Sequence, residues 1–285
     1  MKILLLSLLA LNLGVSSCSK DVGENSGDTP ATTKLNVAYG ADPLQKADIY
    51  LPAARSATST KVMLMIHGGG WSVGDKNEFN AFVDTMKRRL PNYAVININY
   101  RLASGSSNLF PTQENDVKTA LEFINANRQE FQISDKFVLL GASAGAHLAM
   151  LQAYKYSAPA KVKAVVDFFG PADMTAMYND PAPLAPSSSI AGVMGGTPTS
   201  KPGLYFSSSP INFIDAQSPA TIIFQGGLDP LVKASQSIAV KDKLTAAGVP
   251  NQYVFYPTGG HGDWNAATFT DAFNKIEAFL QTNVP

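Results

Sequence analysis

One serine stands between two glycines in a pattern typical of nucleophilic catalysis. Residues 136–151 read KFVLLGASAGAHLAML, which places Ser143 at the centre of a G-x-S-x-G motif. A short apolar run precedes the motif and a helix-forming stretch follows it, so we predict a strand, a tight turn with Ser143 at its tip, and a helix. The glycines would let strand and helix pack closely, while the turn would strain the backbone of its central residue. Ser143 is therefore a candidate nucleophile; the alternative is a glycine-rich turn with a solvated serine.

A serine nucleophile needs a base, and the chain contains three histidines. His147 lies one helical turn after Ser143, where a core or helix-face histidine is the simplest interpretation. His67 begins the sequence HGGGW and belongs to that turn. His261 follows the last predicted strand in TGGHG, whose glycines would let the loop swing the imidazole over the sheet edge. His261 is the candidate base.

An aspartate is needed to orient that base. Asp173 and Asp229 both follow predicted strands, and Asp229 comes directly after TIIFQGG, one strand before His261. The chain order serine, aspartate, histidine is the order expected for a hydrolase with this type of turn. Asp263 is too close to the histidine along the chain to reach beneath its ring. Asp229 is thus the candidate acid; the alternative is a cap for the helix beginning near Leu231.

Consecutive glycines after the strand at 62–66 suggest an oxyanion hole. The HGGGW sequence lets backbone N–H groups point together, so Gly69 and Gly70, with the residue after the nucleophile, Ala144, are the candidate donors. A phosphate-binding turn is the alternative, but the Lys-Ser/Thr of a P-loop is missing. Trp71 is a candidate substrate wall, with plain core packing as its alternative.

Strands and helices alternate along most of the chain. The runs at 62–66, 93–99, 136–140, 162–169 and 220–224 are largely apolar and predict strands covered on both faces, and residues 252–256 predict the last strand. Helical spacing separates several of them. Two short alternating runs, 35–39 and 47–51, predict antiparallel strands at a sheet edge. We therefore expect an α/β fold with a largely parallel sheet and helices on both faces, and a site at the carboxyl ends of the strands. Residues 172–215 contain six prolines and break this pattern, which predicts an irregular, lid-like insertion.

These motifs together resemble the α/β-hydrolase superfamily, and within it the esterases that carry an HGGGW turn. The sequences that carry the resemblance, in chain order, are HGGGW, GDK, NYRL, FP followed by Asp116, GASAGAHLAM and LDPLV. The chain is similar to the branch of acetyl xylan esterases, feruloyl-type esterases and hormone-sensitive-lipase-like carboxylesterases. The resemblance implies a serine esterase that needs neither a metal nor an organic cofactor, with residues 34–285 as one hydrolase domain. Two departures, SAGA in place of SAGG and QGGLD in place of HG-x-x-D, are expected to leave the triad atoms untouched.

The amino terminus predicts export. A lysine precedes a short apolar run, and V-S-S-C ends it at Cys18, the only cysteine of the chain. The pattern indicates a signal peptide over residues 1–17, and V-S-S-C resembles a bacterial lipobox in which Cys18 would be lipidated. Residues 18–33 would then be the lipidated cysteine and a flexible tether. The expected location is the bacterial cell envelope, periplasmic or at the cell surface, with the membrane reached only through the lipid; an ordinary cleaved signal is the alternative.

Composition narrows the class of partner. The chain has 285 residues with 22 basic and 22 acidic side chains, and this balance argues against nucleic acid as a partner. The expected function is hydrolysis of short acyl esters, including those on extracellular polysaccharides. A serine peptidase of the same fold and a non-catalytic glycan-binding lipoprotein are the alternatives. The acyl group, the alcohol portion, the oligomeric state and the membrane face stay open.

Overall fold

A computed structural model describes residues 29–285 of the chain; the predicted signal peptide and Cys18 lie outside this range. Eight strands form one sheet in the order β1-β2-β4-β3-β5-β6-β7-β8. The strands are β1 (Thr32–Ala38), β2 (Lys46–Leu51), β3 (Lys61–Ile66), β4 (Tyr93–Ile98), β5 (Phe137–Ala142), β6 (Val162–Phe168), β7 (Ala220–Gly226) and β8 (Asn251–Tyr256). Strand β1 thus begins two residues inside the range predicted as a tether.

Only β2 runs against the other strands. It pairs antiparallel with both β1 and β4, whereas every pairing from β4 through β8 is parallel. The predicted edge pair and the largely parallel sheet are therefore confirmed. Because the parallel strands end at the same edge, the loops that follow β3, β5, β7 and β8 meet there.

Helices cover both faces of the sheet, as the continuously apolar strands predict. Residues on alternate positions of each strand feed two separate buried clusters, one on each face. Helices α2, α4 and α8 pack on the first face, and α1 and α9 on the second. The helices are α1 (Asn80–Arg89), α2 (Thr112–Ala126), α3 (Arg128–Phe131), α4 (Ala144–Lys155), α5 (Met174–Asn179), α6 (Ser187–Met194), α7 (Pro202–Ser207), α8 (Ala234–Ala246) and α9 (Ala266–Asn283), with short 3₁₀ turns at Lys76–Phe79 and Pro210–Phe213.

The segment 172–215 is more regular than its sequence suggests. It contains α5, α6, α7 and a 3₁₀ turn, whereas we expected irregular structure. Three of its six prolines begin helices: Pro186 is the N-cap of α6, and Pro202 and Pro210 occupy first positions, where a missing N–H costs nothing. Helices of six to eight residues are too short for apolar periodicity to reveal them.

Two buried charged groups brace the loops beside the sheet edge. Asp116 on α2 accepts hydrogen bonds from Gln45 at 2.7 Å and from the backbone and guanidinium of Arg101. Lys76 forms a buried ion pair with Asp48 at 2.8 Å. The GDK and NYRL sequences therefore support the loops after β3 and β4 and do not themselves line the cavity described below.

Among the helices of residues 29–285, none combines the length and apolar character needed to cross a bilayer.

Candidate active site

Ser143 occupies a strained turn between β5 and α4, called the elbow below (residues 141–145). Its backbone has φ 54° and ψ −122°, a conformation that side-chain-bearing residues rarely adopt. The Ser143 N–H donates to the carbonyl of Phe168 at 2.8 Å, and its carbonyl accepts from the N–H of His147 at 3.0 Å. The strain is thus held by hydrogen bonds on both sides of the serine.

The flanking glycines are required by close backbone approach. A Cβ at Gly141 would lie 2.3 Å from the carbonyl carbon of Gly145, and a Cβ at Gly145 would lie 2.0 Å from the carbonyl oxygen of Ile66. Such distances are far inside van der Waals contact. The G-x-S-x-G spacing therefore lets α4 start directly against β3 and β5, as the sequence predicts.

His261 and Asp229 are brought together from neighbouring loops. His261 Nδ1 lies 2.7 Å from Asp229 Oδ2, and the Asp229 side chain is only 1% exposed. Because a carboxylate can only accept, Nδ1 carries the proton and Nε2 keeps a free lone pair. Nε2 has no hydrogen-bond partner among residues 29–285, so it is available to a proton donor in the cavity.

Asp229 only partly meets the alternative predicted for it, because the helix expected near Leu231 begins at Ala234 as α8, with Lys233 as its N-cap. Its Oδ1 accepts the N–H groups of Leu231 and Val232, each at 2.8 Å, so the carboxylate caps the turn that precedes α8. One oxygen holds the loop and the other holds the imidazole. The other candidate after a strand, Asp173, caps α5 through the N–H of Ala176 at 2.8 Å and does not contact His261.

Gln225 corrects one expectation. The QGGLD departure was expected to leave the triad atoms untouched, yet Gln225 Nε2 lies 3.3 Å from Asp229 Oδ2. The same nitrogen donates to the carbonyls of Gly226 and Val232, and Oε1 accepts from Ser237 at 2.8 Å. The error arose because spacing alone does not show that the last residues of β7 and the loop after it fold back on each other.

Phe169 is a site residue that sequence reasoning missed. Its ring lies 4.4 Å from the His261 ring, centroid to centroid, and its backbone has φ 47°. A positive φ is unusual for a bulky residue and marks local strain. The one available signal was its place directly after β6. Phe169 supports one face of the imidazole.

The HGGGW turn presents its glycines to the same cavity. Gly69 and Gly70 have φ of 101° and 55°, and a Cβ at Gly69 would lie 2.0 Å from the carbonyl oxygen of Val73. The N–H groups of these glycines and of Ala144 have no protein acceptor within residues 29–285. Tyr100, which sequence reasoning placed only in a motif, donates from its hydroxyl to the carbonyls of His67 and Gly68, at 3.0 Å each. Tyr100 thus holds the turn through its carbonyl groups, whereas the N–H groups of the two glycines make no hydrogen bond within residues 29–285.

A single large cavity connects these groups. Its volume is about 700 Å³, and Ser143, His261, Gly69, Gly70 and Trp71 all line it. The rest of its wall is largely apolar and comes in good part from the insertion: Met177, Leu184, Ala185, Ile190 and Val193. Trp71 lines the cavity and is only 3% exposed, so it packs in the core, and its role as a substrate wall stays a prediction.

The two remaining histidines are structural in their surroundings. His67 stacks on Tyr100 with 4.3 Å between ring centroids, and burial lowers its pKa below the usual value. His147 is fully buried on α4, as the simpler interpretation predicted. In the part of the chain that the structure describes, His, Cys, Asp and Glu side chains form no group of three or more able to hold a metal ion.

Comparison with known proteins identifies the family. The BD-FAE family model matches residues 47–244, which include Ser143 and Asp229. The chain belongs to the BD-FAE family. The match covers well over half of the sequence and contains the sheet from β2 to β7 with the insertion.

Similar proteins are known for this BD-FAE chain. Esterase LipQ of Mycobacterium tuberculosis is 27% identical over 73% of the chain and 51% of LipQ. Dipeptidyl aminopeptidase BIII of Pseudoxanthomonas mexicana is 26% identical over 81% of the chain and 36% of the peptidase. A solved structure, a truncated form of a carbohydrate esterase from gut microbiota, is 28% identical with a TM-score of 0.75, covering 90% of the chain and 97% of that structure.

The coverage differs between these relatives. The BD-FAE chain spans about half or less of the length of the two curated relatives but nearly all of the solved carbohydrate esterase structure. The α/β-hydrolase fold predicted from the sequence is confirmed by the sheet and by these structural similarities.

Proposed function

We propose that this BD-FAE protein is a serine carboxylic-ester hydrolase. The observation that carries the proposal is that Ser143, His261, Gly69 and Gly70 line one cavity, and that the N–H groups of the two glycines have no acceptor within residues 29–285. The hydrogen bond between His261 and Asp229 adds the orientation that a general base needs. Relatives named as esterases support the same reaction class.

The proposed reaction has two steps. His261 Nε2 takes the hydroxyl proton as Ser143 Oγ attacks the ester carbonyl, and the N–H groups of Gly69, Gly70 and Ala144 stabilise the oxyanion. His261 then gives the proton to the alcohol. The alcohol leaves, and the acyl group stays bound to Ser143 as an ester. Water, deprotonated by His261, then attacks that ester. The bond to Ser143 Oγ breaks as His261 returns the proton to this oxygen, and the acid is released. Asp229 keeps the Nδ1 proton in place throughout.

The lining of the cavity favours an uncharged substrate. Apart from His261, no ionisable side chain among residues 29–285 lines it, so a charged group would be desolvated there without a partner from this part of the chain. A volume of about 700 Å³ holds an acetyl group with room to spare, and the apolar insertion residues suit longer acyl groups. We therefore expect acetyl and butyryl esters to be hydrolysed. A substrate panel that also contains feruloyl esters defines the largest acyl group that the cavity accepts.

The same wall favours an esterase over a peptidase. An aminopeptidase has to bind the positively charged amino end of a peptide, for which a carboxylate is the usual partner. The part of the chain that the structure describes contributes no Asp or Glu to the cavity lining, although one relative of the chain is named a dipeptidyl aminopeptidase. A non-catalytic glycan-binding role would leave the His261–Asp229 pair without a purpose.

Nitrophenyl acetate hydrolysis tests the reaction class. Ser143→Ala should lower kcat roughly 10³-fold or more, since the nucleophile is lost. Ser189→Ala is the matched control, because Ser189 lines the same cavity away from the elbow, and it should retain most activity. Equal rates for wild type and Ser143→Ala would remove the enzyme interpretation. Cleavage of a dipeptide nitroanilide without ester turnover would favour the peptidase.

Acyl groups on extracellular polysaccharides are the proposed natural substrates. The proposal is supported by the similarity to a carbohydrate esterase and by the predicted export signal. The purified enzyme should release acetate from acetylated xylan. Turnover of simple acyl esters with no acetate release from the polymer would contradict this substrate.

We further propose that Cys18 anchors the protein to the cell envelope through a lipid. Support comes from the sequence alone, where V-S-S-C ends a short apolar run after a lysine. Metabolic labelling with a fatty acid should mark the wild type and fail to mark Cys18→Ala. Equal labelling, or none in either protein, would contradict the anchor.

A further inference from the structure

His147 connects three segments of the site. It lies on α4, four residues after Ser143, and its side chain is completely buried. Its Nδ1 lies 3.1 Å from the indole nitrogen of Trp71, and its Nε2 lies 2.7 Å from the carbonyl oxygen of Ser208. The imidazole therefore bridges the HGGGW turn and the insertion from a position on the helix that carries the elbow.

The two partners determine the protonation state of this imidazole. An indole N–H can only donate and a carbonyl can only accept, so Nδ1 must be the acceptor and Nε2 must carry the proton. A protonated imidazolium would place two N–H donors head to head at Trp71. Burial, opposed by the Ser208 hydrogen bond and aided by the charge of Lys155, lowers the pKa of His147 to about 4, in agreement with a neutral ring.

Both residues bridged by His147 belong to segments that line the cavity. Trp71 follows Gly70 directly, has φ 60°, lines the cavity, and is otherwise held by its carbonyl, which accepts from Ala103 at 2.9 Å. Its ring stands edge-on to His147, with 5.1 Å between centroids and 88° between planes. Ser208 is the C-cap of α7 in the insertion that supplies much of the apolar wall.

We propose that His147 is a positioning residue that aligns the oxyanion turn and the insertion with Ser143. This inference rests on the proposed esterase function. The bridge holds Trp71, and through it Gly70, at a fixed distance from the elbow helix, and it holds the α7 end of the insertion against the same helix. Removing it leaves Trp71 Nε1 and the Ser208 carbonyl buried without partners, a cost that displacement of either segment would relieve.

Two substitutions separate positioning from simple packing. His147→Leu removes both hydrogen bonds, whereas His147→Gln offers an amide whose oxygen can accept from Trp71 and whose nitrogen can donate to Ser208. We expect kcat for nitrophenyl acetate to fall about 10-fold or more in His147→Leu, because a small displacement of an oxyanion donor is costly, and to recover substantially in His147→Gln. KM should rise more for butyryl than for acetyl esters in His147→Leu, since the insertion lines the apolar wall.

Gln152→Leu is the matched control. Gln152 is buried on the same helix and its side chain makes no hydrogen bond within residues 29–285. The change to leucine should therefore leave kcat and KM close to the wild-type values. A loss in Gln152→Leu as large as in His147→Leu would assign the effect to helix packing and overturn the proposal.

A spectroscopic readout tests the bridge without relying on activity. The chain has two tryptophans, so a ¹H–¹⁵N spectrum shows two indole N–H signals, and Trp264→Phe identifies the Trp71 signal. We expect that signal to move upfield in His147→Leu and to lie near its wild-type position in His147→Gln. This comparison applies to His147→Gln even where the leucine variant does not fold.

The outcomes distinguish the two levels of inference. A wild-type protein that does not hydrolyse any ester of the panel refutes the proposed function. An active wild type whose kcat and Trp71 signal are both unchanged in His147→Leu refutes the positioning role alone. A folded His147→Gln variant as impaired as His147→Leu, although its Trp71 signal lies near the wild-type position, also contradicts it, because the restored hydrogen bond should rescue activity.

Discussion

Gln225 Nε2 lies 3.3 Å from Asp229 Oδ2, on the oxygen that also receives the Nδ1 proton of His261. Asp229 therefore collects four donors: this amide, the imidazole and two backbone N–H groups. Such a set holds the buried carboxylate in one orientation. Ser237 in turn holds Gln225, because its hydroxyl donates to Gln225 Oε1 at 2.8 Å.

Gln225→Leu should lower kcat/KM for nitrophenyl acetate roughly 10-fold. The substitution removes one donor from Asp229 and leaves the Val232 carbonyl unpaired, so the loop that carries the aspartate loses its support. Ser237→Ala, which acts only through Gln225, should have a smaller effect in the same direction. A Gln225→Leu enzyme with wild-type kcat/KM and thermal stability would show that the contact is dispensable.

Asp229→Asn should reduce kcat by about 10³–10⁴-fold with little change in fold. The amide can donate to Nδ1, which favours the tautomer with the proton on Nε2 and removes the base. Asp173→Asn is the matched control, since Asp173 also follows a strand and caps a helix but lies away from His261. If steady-state kinetics give a wild-type kcat for both variants, neither residue orients the base.

Gly145→Ala should destabilise the protein strongly. Its Cβ would lie 2.0 Å from the Ile66 carbonyl oxygen, so β3 and α4 would have to separate, at a cost of about 1–3 kcal/mol or more. Gly203→Ala in α7 is the control, because a Cβ there meets open space and alanine favours helix by roughly 1 kcal/mol. Thermal unfolding should show a lower Tm for the first and an equal or higher Tm for the second. Equal Tm values would contradict the close packing at the elbow.

The stability of the protein should fall as pH rises through the titration of Asp167. This side chain is fully buried on β6, one oxygen accepts from the Gly170 N–H, the other has no partner within residues 29–285, and burial raises its pKa to about 7. The folded state thus keeps a proton that the unfolded state releases near pH 4. Between about pH 4 and pH 7 unfolding releases this proton, so the free energy of unfolding decreases across that window.

Asp167→Asn provides the test of that titration. Asparagine resembles the protonated acid, so at pH 8 its Tm should exceed that of the wild type by about 2 °C or more, the shift that ~1 kcal/mol produces in a domain of this size. At pH 4 the two proteins should unfold at similar temperatures. A variant with the same pH dependence as the wild type would assign the effect to another group.

Local sequence predicted most elements of the fold because each left a signal within a few residues. Continuous apolar runs indicated the parallel strands, and the structure extends or shortens them by only one to three residues. The helices of the insertion were missed, since α5 and α7 have six residues each and show no periodicity. The order of the strands, with β4 between β2 and β3, follows from packing and crossovers and left no local signal.

The candidate residues Ser143, Asp229 and His261, with the glycines of the HGGGW turn, were determined by the sequence itself. Each carries a chemical type and a place after a strand, and parallel strands end at one edge, so such residues meet. Which side chains support them was decided only by the tertiary structure. Gln225 reaches Asp229, and His147 joins Trp71 to Ser208 across 76 and 61 residues of chain, because strand order and helix docking set those distances. Spacing along a chain carries no record of such contacts, since they form only when the whole sheet and its helices have packed.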